Sequence, residues 1–244
     1  TDLINLKKIT KIYDENYFLI DRFENIQFKN VSFKYPSSDQ YVFKNLNFSI
    51  KSNECIGIVG KSGAGKTTLI DLFLGLLNPQ EGEISVNNKI IKKNLDLSKI
   101  TAYLPQQALT LESSIIDNIT LENNRKNIDE KKLISSIKNA DLENLIESLP
   151  NKTRSVISDE GLRLSGGQNQ RLALARIFYH AKEIIIMDEA TSSLDKETEE
   201  LILENINNFK GKRTIIVITH KESTLKYVDK IFEIKNKKLN IINK

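Results

Sequence analysis

Residues 60–67 form a phosphate-binding sequence motif. They read Gly-Lys-Ser-Gly-Ala-Gly-Lys-Thr and satisfy the pattern G-x-x-x-x-G-K-[ST] at every fixed position. Glycine lets the backbone of such a loop turn several N–H groups toward one anion, and the helix that follows adds a partial positive charge. Lys66 would then reach the β- and γ-phosphate oxygens, and the Thr67 hydroxyl would ligate Mg²⁺. We therefore expect a nucleoside triphosphate here; the alternative is a glycine-rich turn without a ligand.

The sequence on both sides of this motif predicts the elements that would position it. Residues 55–59 form an apolar run typical of a buried strand, and residues 68–77 have the spacing of a helix. A strand, a glycine-rich loop and a helix in that order form the setting in which this motif binds phosphate. The residues predicted to contact the phosphates are Gly60, Ser62, Gly63, Ala64, Gly65, Lys66, Thr67 and Thr68.

Two carboxylates and a histidine follow other predicted core strands. The apolar run 184–187 ends in Asp188 and Glu189, and the run 214–218 is followed closely by His220. Parallel strands present functional side chains at their carboxyl ends, so Asp188 could hold Mg²⁺ and Glu189 could face an attacking water. Acids after an apolar strand are common, and a lone histidine at a strand end is usually structural. Together with the phosphate motif, however, they favour a hydrolytic site in which His220 hydrogen-bonds the γ-phosphate or the water.

Length and composition indicate a globular protein with an α/β core and an inserted subdomain. The 244 residues are 39% hydrophobic and 28% charged, and no apolar run approaches the roughly 18 residues of a membrane span. We therefore expect that the chain does not itself cross a membrane. The net charge of +4 is spread along the sequence, which argues against a nucleic-acid partner. The single cysteine, Cys55, lies in an apolar strand, so we expect a buried packing role and a reducing cytoplasm.

The order of the predicted elements divides the chain into regions. Residues 1–24 are predicted to be a helical or irregular lead-in, residues 27–50 an antiparallel β layer, and residues from about 107 to 163 an all-helical block. Tyr35 stands beside the turn in the β layer, where its ring could stack on adenine. A tyrosine next to a proline is more often ordinary packing, and that alternative stays open.

The segment Leu-Ser-Gly-Gly-Gln at residues 164–168 decides the class, because here the sequence closely resembles the ATP-binding-cassette (ABC) family. Seven family elements occur in the family's order between Tyr35 and His220. They are Tyr35, the phosphate loop, Gln106, residues 164–168, the pair Asp188 and Glu189, the turn Ser192 to Asp195, and His220. The resemblance implies an α/β fold in residues 25–244: a P-loop NTPase (RecA-like) core with an antiparallel β subdomain and an inserted α-helical subdomain at about 107–163.

The same resemblance implies a role for each matching residue. Tyr35 would stack on the adenine of ATP, Mg²⁺ would be held by Thr67, Gln106 and Asp188, and the catalytic residues would be Glu189, His220 and Gln106. A second anion site would lie at a helix N-terminus and consist of Ser165, Gly166, Gly167 and Gln168. In the family this site faces ATP held by another subunit, so the resemblance implies an ATP-sandwich dimer with a second nucleotide-binding domain.

Parts of the chain resemble exporters within the ABC family. Residues 106–119 and 140–153 are similar to the corresponding exporter stretches, whereas residues 158–161 read Ser-Asp-Glu-Gly in place of the exporter Gly-Glu-Arg-Gly. Leu111 and Ser114 also stand where exporters often carry Phe and Thr. The lead-in 1–24 looks like the tail of a fused transmembrane domain, and a start at Thr1 without methionine suggests part of a longer protein.

We therefore expect the ATPase domain of an exporter-type transporter, at the cytoplasmic face of the inner or plasma membrane. The alternative is a soluble ABC ATPase that acts on nucleic acid, ribosomes or cluster assembly. A chromosome-type protein would carry a long coiled coil in the insert and a ribosome-acting one would have two cassettes; the sequence has neither feature. A small-molecule kinase of the P-loop type is disfavoured by the Leu-Ser-Gly-Gly-Gln segment and by Glu189.

Overall fold

Most strands and helices form where the spacing of apolar residues predicts them. The structure is a computed structural model, and it describes residues 18–91, 95–97, 99–122, 124–158, 162–191 and 193–243. The strands are β1 Phe18–Leu19, β2 Asn25–Phe33, β3 Phe43–Lys51, β4 Cys55–Gly60, β5 Glu81–Val86, β6 Lys89–Ile90, β7 Leu95–Asp96, β8 Thr101–Leu104, β9 Ile184–Asp188, β10 Thr214–Ile218, β11 Lys230–Lys235 and β12 Lys238–Asn243. The α-helices are α1 Lys66–Phe73, α2 Ile115–Thr120, α3 Glu130–Asn139, α4 Glu143–Ser148, α5 Gly166–His180, α6 Lys196–Asn207 and α7 Glu222–Leu225.

The chain divides into two compact units. The first unit contains the described part of Thr1–Ser52 together with Gly60–Ile100 and Ile234–Asn240. The second unit contains Asn53–Val59, the described part of Thr101–Glu233, and Ile241 to Asn243. The phosphate loop therefore belongs to the first unit, and Asp188, Glu189 and His220 belong to the second.

A four-stranded antiparallel sheet forms the β layer of the first unit, in the order β3-β2-β5-β6. Alternate side chains of β3 are buried, as the period of two in its sequence predicts. Phe28 of β2 pairs in register with Phe48 of β3, and their rings stack with centroids 4.3 Å apart. The expectation of an antiparallel β layer before the phosphate loop is confirmed.

The core strands of the second unit belong to a six-stranded sheet with the order β12-β11-β4-β10-β9-β8. Strands β4, β10, β9 and β8 are parallel, and every residue of β9 and β10 is buried, as expected for parallel strands covered on both faces. Because β8, β9 and β10 are parallel neighbours, their carboxyl ends lie at the same end of the sheet. Gln106, Glu189 and His220 follow these strand ends within two residues. Cys55 of β4 is 4% exposed, and burial raises the pKa of its thiol to about 12, which confirms the predicted packing role.

Helices α2, α3 and α5 pack through a common apolar core in the second unit. Buried side chains from these three helices include Ile119, Leu133 and Leu172. The N-termini of α2, α3 and α5 are capped by the side chains of Ser114, Asp129 and Ser165, which accept hydrogen bonds from backbone N–H groups. Helix α5 has 15 residues and begins at Gly166, within the Leu-Ser-Gly-Gly-Gln segment of residues 164–168.

Two sequence expectations need correction, and others fall wholly or partly outside the described residues. The block 107–163 is not all-helical, because Ser114 forms an isolated bridge with Val156 and Ile157 forms another with Leu162. The lead-in is a strand at its Phe18–Leu19 end, where β1 pairs in parallel with β7. Residues 1–17, the departure at 159–161 and Ser192 lie outside the described residues. Among the described helices, none has the length and apolarity needed to cross a membrane.

Candidate functional site

The phosphate loop of the first unit has the backbone shape of an anion cradle. Gly63 and Gly65 adopt positive φ values of 76° and 102°, a region that favours glycine. The Ala64 amide bonds the Lys61 carbonyl at 3.0 Å, whereas the amides of Ser62, Gly63 and Gly65 have no acceptor within the described residues. These N–H groups and the N-terminus of α1 are therefore available to a negatively charged ligand.

Lys66 and Thr67 open helix α1 beside this cradle. The Lys66 ammonium donates to the carbonyl oxygens of Gly60 at 2.9 Å and Lys61 at 3.3 Å, which folds its side chain back over the loop. Thr67 is exposed, so its hydroxyl can reach a ligand. The chemistry of the loop thus fits a phosphate chain: it offers a cation, backbone donors that have no acceptor in the described part of the chain, and an exposed hydroxyl.

Tyr35 is held against the helix that follows the loop. Its hydroxyl pairs with Thr68 Oγ1 at 2.9 Å, and its ring meets the Phe33 ring edge-on with centroids 5.1 Å apart. Tyr35 remains 36% exposed, so part of its ring is open to a planar ligand. Thr67 and Thr68 were both predicted to contact the phosphates, but they differ in exposure. Thr67 is exposed, whereas Thr68 is 6% exposed and its hydroxyl is hydrogen-bonded to Tyr35.

The three predicted catalytic residues lie together in the second unit, where Gln106 and His220 both contact Glu189. Gln106 donates its Nε2 to Glu189 Oε2 at 2.9 Å, and His220 Nε2 lies 3.4 Å from Glu189 Oε1. These three residues follow β8, β9 and β10, whose neighbouring positions in the sheet bring them together. The cluster is partly exposed, since the Glu189 side chain retains 24% of its surface and the His220 side chain 52%. A polar ligand or a water molecule can therefore reach the carboxylate.

Glu189 has an unusual backbone. Its φ of +49° places it in the left-handed region, which costs a non-glycine residue roughly 1–2 kcal/mol. Two hydrogen bonds hold it there: its amide donates to Ile218 O at 2.9 Å, and its carbonyl accepts from Gln170 Nε2 at 3.2 Å. Strained residues of this kind persist where surrounding contacts fix them, and they concentrate at functional sites.

Each residue predicted to hold Mg²⁺ offers an oxygen ligand, Thr67 in the first unit and Asp188 and Gln106 in the second. Thr67 offers a hydroxyl, Asp188 a carboxylate that is 8% exposed, and Gln106 the Oε1 of its carboxamide. Within the described residues, no group of three or more His, Cys, Asp and Glu side chains could enclose a metal ion. This set fits Mg²⁺, which prefers oxygen ligands and keeps several waters or substrate phosphate oxygens in its coordination shell.

Residues 165–168 form a capped and accessible helix start in the second unit. Ser165 Oγ accepts the Gln168 amide at 3.2 Å, and Gln168 Oε1 accepts the Ser165 amide at 2.9 Å, which completes a capping box. Ser165 and Gly166 are exposed, and a Cβ added to Gly166 would meet no atom within 4 Å. The start of α5 is therefore open at Ser165 and Gly166, as an anion site for an external ligand requires.

Two buried polar side chains of the second unit were not predicted to have a role. Gln170 in α5 is 3% exposed and bonds both Glu189 and Ser193. Glu199 in α6 is 6% exposed, and its carboxylate receives Lys221 Nζ at 2.7 Å. The helical spacing of the sequence predicts only that Gln170 and Glu199 are polar residues on helices. Their contacts depend on how α5 and α6 pack.

The sequence of this chain matches a known protein family. The family model described as "ABC transporter" matches residues 43–192, which is more than half of the chain. The chain belongs to the ABC transporter family. The matched range contains the phosphate loop, Gln106, the Leu-Ser-Gly-Gly-Gln segment, Asp188 and Glu189.

Individual ABC relatives are similar over most of the chain. The alpha-hemolysin translocation ATP-binding protein HlyB of Escherichia coli O6:H1 is 35% identical over 88% of this chain and 30% of its own length. The ATP-dependent lipid A-core flippase of Methylobacillus flagellatus is 36% identical over 89% of this chain and 38% of its own length. The chain thus spans less than half the length of these relatives.

A solved structure shows the same ABC fold. The structure of a bacterial Atm1-family ABC exporter with ATP bound superposes with a TM-score of 0.79 and 28% identity, over 97% of this chain and 43% of the exporter chain. The predicted fold class, a P-loop NTPase of the ABC type, is confirmed. The chain is an ABC ATP-binding domain similar to those of exporters, and the comparisons favour this interpretation over a soluble ABC ATPase.

Proposed function

We propose that this chain binds and hydrolyses ATP, and that it does so as the nucleotide-binding domain of an exporter-type ABC transporter. The observation that carries the hydrolytic part is the meeting of Gln106 and His220 on the two carboxylate oxygens of Glu189. A carboxylate oriented by two polar side chains at the carboxyl edge of a parallel sheet suits a general base that positions a water molecule.

ATP would be held through contacts of three kinds. Lys66 and the amides of residues 62–65 bind the phosphate chain, and the partly exposed ring of Tyr35 stacks on adenine. Thr67, Gln106 and Asp188 hold Mg²⁺, which offsets negative charge on the phosphates when it is bound. These assignments rest on the available N–H groups of the loop, the exposed Thr67 hydroxyl and the oxygen ligands that Thr67, Gln106 and Asp188 offer.

Glu189 would accept a proton from the attacking water as it approaches the γ-phosphate. Gln106 and His220 would keep the carboxylate from rotating, and His220 would also donate a hydrogen bond to a developing charge on the phosphate. A fixed carboxylate avoids the reorganisation that a mobile side chain would need at the moment of reaction.

The second partner would be another nucleotide-binding domain. The exposed start of α5, with Ser165, Gly166, Gly167 and the capping residue Gln168, would contact the γ-phosphate of ATP bound by that partner. A transmembrane domain would be the other partner and would set the substrate, with this domain at the cytoplasmic face of the membrane; the similarity to transporters supports this. We likewise propose that the ABC domain begins near residue 25 and that residues 1–24 lead in from the membrane domain.

The proposal is tested with Glu189→Gln, which keeps the volume of the side chain and removes the basic carboxylate. We expect ATP hydrolysis to fall by roughly 10²- to 10⁴-fold while the dissociation constant for ATP stays within about twofold. The matched control is Glu200→Gln, an exposed position on α6, which should hydrolyse ATP at the unchanged rate. Normal hydrolysis by Glu189→Gln would show that another residue is the base.

The dimer is tested in the same background. With ATP and Mg²⁺, Glu189→Gln should shift toward a dimer in size-exclusion chromatography, because hydrolysis no longer separates the subunits. Adding Ser165→Arg places a bulky side chain at the proposed second anion site and should abolish the shift. A shift that survives Ser165→Arg would remove the start of α5 from the interface and leave the catalytic assignment intact.

A further inference from the structure

Gln170 connects helix α5 to the two ends of the turn that follows β9. Its Nε2 donates to the Glu189 carbonyl at 3.2 Å, and its Oε1 accepts from the Ser193 amide at 3.1 Å and from Ser193 Oγ at 2.6 Å. Gln170 is 3% exposed, and its hydrogen bonds to Glu189 and Ser193 are partly buried. One carboxamide thus bonds polar groups of two residues, Glu189 and Ser193, that lie four positions apart in the sequence.

The two partners of Gln170 require opposite chemistry. The Glu189 carbonyl can only accept a hydrogen bond, and the Ser193 amide can only donate one. A side chain that serves both must carry a donor and an acceptor on one planar group, which among side chains of this length is the carboxamide of glutamine. Glutamate would lack the donor, methionine would lack both, and asparagine is one methylene too short to span the same distance.

Helix α5 also approaches Ser193 near its start, at Gly167. The helix begins at Gly166 with Ser165 as its cap, and Gln170 lies four residues beyond Gly166, or about 6 Å along the helix axis at roughly 1.5 Å per residue. Near the helix start, a Cβ added to Gly167 would come within 3.2 Å of Ser193 O. Helix α5 is therefore in close contact with the same turn at two points, once through the Gly167 backbone and once through the Gln170 side chain.

We propose that Gln170 is a positioning residue for Glu189, and that through it the start of α5 is coupled to the catalytic carboxylate of the same subunit. Gln170 fixes the carbonyl of a residue whose backbone is already in the left-handed region, and so it determines where the Glu189 side chain points. A displacement of α5 caused by a ligand at Ser165 would move the Glu189 carbonyl with it. The inference rests on the proposed ATP hydrolysis and assigns a function to a buried residue outside the predicted nucleotide-binding, metal-binding and catalytic sets.

The test compares the kinetics of the whole chain with three substitutions. Gln170→Met keeps the length of the side chain and removes all three hydrogen bonds. Gln170→Glu keeps an acceptor for Ser193 and removes the donor to Glu189. The matched control is Asn205→Leu in α6, which also removes a side-chain amide bond to a backbone carbonyl, that of Asn139 at 2.9 Å. Steady-state hydrolysis gives kcat and KM, nucleotide titration gives the bound fraction, and thermal unfolding gives Tm.

We expect both Gln170 variants to lose about 10- to 100-fold in kcat, with KM for ATP and binding stoichiometry within about twofold of the unsubstituted chain. Asn205→Leu should keep its kcat. In the Glu189→Gln background, Gln170→Met should change the residual rate by less than about twofold, because the carboxylate it positions is already absent. If Gln170 only supported folding, its replacement would lower the fraction of the chain that binds nucleotide. It would also reduce the residual hydrolysis rate of the Glu189→Gln background further.

The outcomes separate this inference from the proposed function. If Glu189→Gln is inactive and Gln170→Glu hydrolyses ATP at the normal rate, the inference is overturned and the hydrolytic function stands. The inference also fails if the double variant falls well below Glu189→Gln alone. If Glu189→Gln hydrolyses ATP normally, the proposed base is wrong whatever the Gln170 variants do. Should Gln170→Met fail to fold, Gln170→Glu and Ser193→Ala decide the question, the latter with an intermediate loss of kcat.

Discussion

Replacing Glu199 should destabilise the fold through one buried carboxylate. The carboxylate accepts Lys221 Nζ at 2.7 Å, and Thr191 Oγ1 and Ser223 Oγ at 3.2 Å each. Lys221 also donates to the Thr191 carbonyl at 2.8 Å, so this group joins α6 to the segments that follow β9 and β10. Glu199→Gln keeps the volume and an accepting oxygen and removes the negative charge that Lys221 faces.

The magnitude follows from the kinds of hydrogen bond that change. A bond to a charged group contributes about 1.5–3 kcal/mol and a neutral one about 0.5–1.5 kcal/mol, so Glu199→Gln should cost about 1–2 kcal/mol. The cost stays below the roughly 3–5 kcal/mol of a fully buried broken pair, because the Lys221 side chain is 35% exposed and its ammonium can be hydrated.

Urea unfolding followed by circular dichroism measures this loss. The midpoint for Glu199→Gln should fall relative to the unsubstituted chain, and Glu200→Gln, one position along α6 and exposed, should leave it unchanged. Two variants with the same midpoint would refute the reasoning, because they would show that the buried carboxylate contributes no more than an exposed one.

Three further predictions concern other parts of the chain. Tyr35→Ala should weaken ATP binding by about 1–3 kcal/mol in a nucleotide titration and leave the affinity for inorganic triphosphate unchanged, since only stacking on the base is lost; equal losses would instead indicate general destabilisation. Gly65→Ala should abolish nucleotide binding and lower Tm more than Gly63→Ala, because both have positive φ but a Cβ at Gly65 would lie within 2.8 Å of two side chains whereas one at Gly63 meets nothing within 4 Å; similar Tm values would contradict this. Hydrogen bonds from Ser114 hold the pKa of Asp117 below 3.8, so its contribution to stability is present above that pH and lost as pH falls through the lowered pKa. The urea midpoint of Asp117→Asn should therefore lie below that of the unsubstituted chain at pH 7 and approach it toward pH 3; a constant difference would contradict the assignment.

The sequence predicted the core elements well because their signals are local. Strands β9 and β10 are unbroken apolar runs, and α5 has both a helical period and a capping pattern in Ser165 and Gln168. The grouping of Gln106, Glu189 and His220 was also accessible, since parallel strands bring their carboxyl ends to one edge. Their proposed catalytic roles stay predictions until the variants above are measured.

The supporting contacts were not accessible from local signals. Gln170 and Ser193 are 23 residues apart, and Glu199 and Lys221 are 22 apart, so each pair depends on how helices and strands pack. The left-handed backbone of Glu189 is equally invisible, because glutamate has no preference for that conformation and tertiary contacts impose it.

The order of the strands in the six-stranded sheet has a consequence for biosynthesis. Strand β4, which leads into the phosphate loop, has β10 and β11 as its neighbours, and Cys55 is in register with Ile215, 160 residues later. At a translation rate of about 5–20 residues per second, β4 waits roughly 8–30 s for its first partner in the sheet. Both of its edges are unpaired during that interval, which exposes an apolar strand to pairing with other chains. A ribosome that stops before β10 would thus release a chain with its nucleotide loop complete and the strand that supports it unpaired.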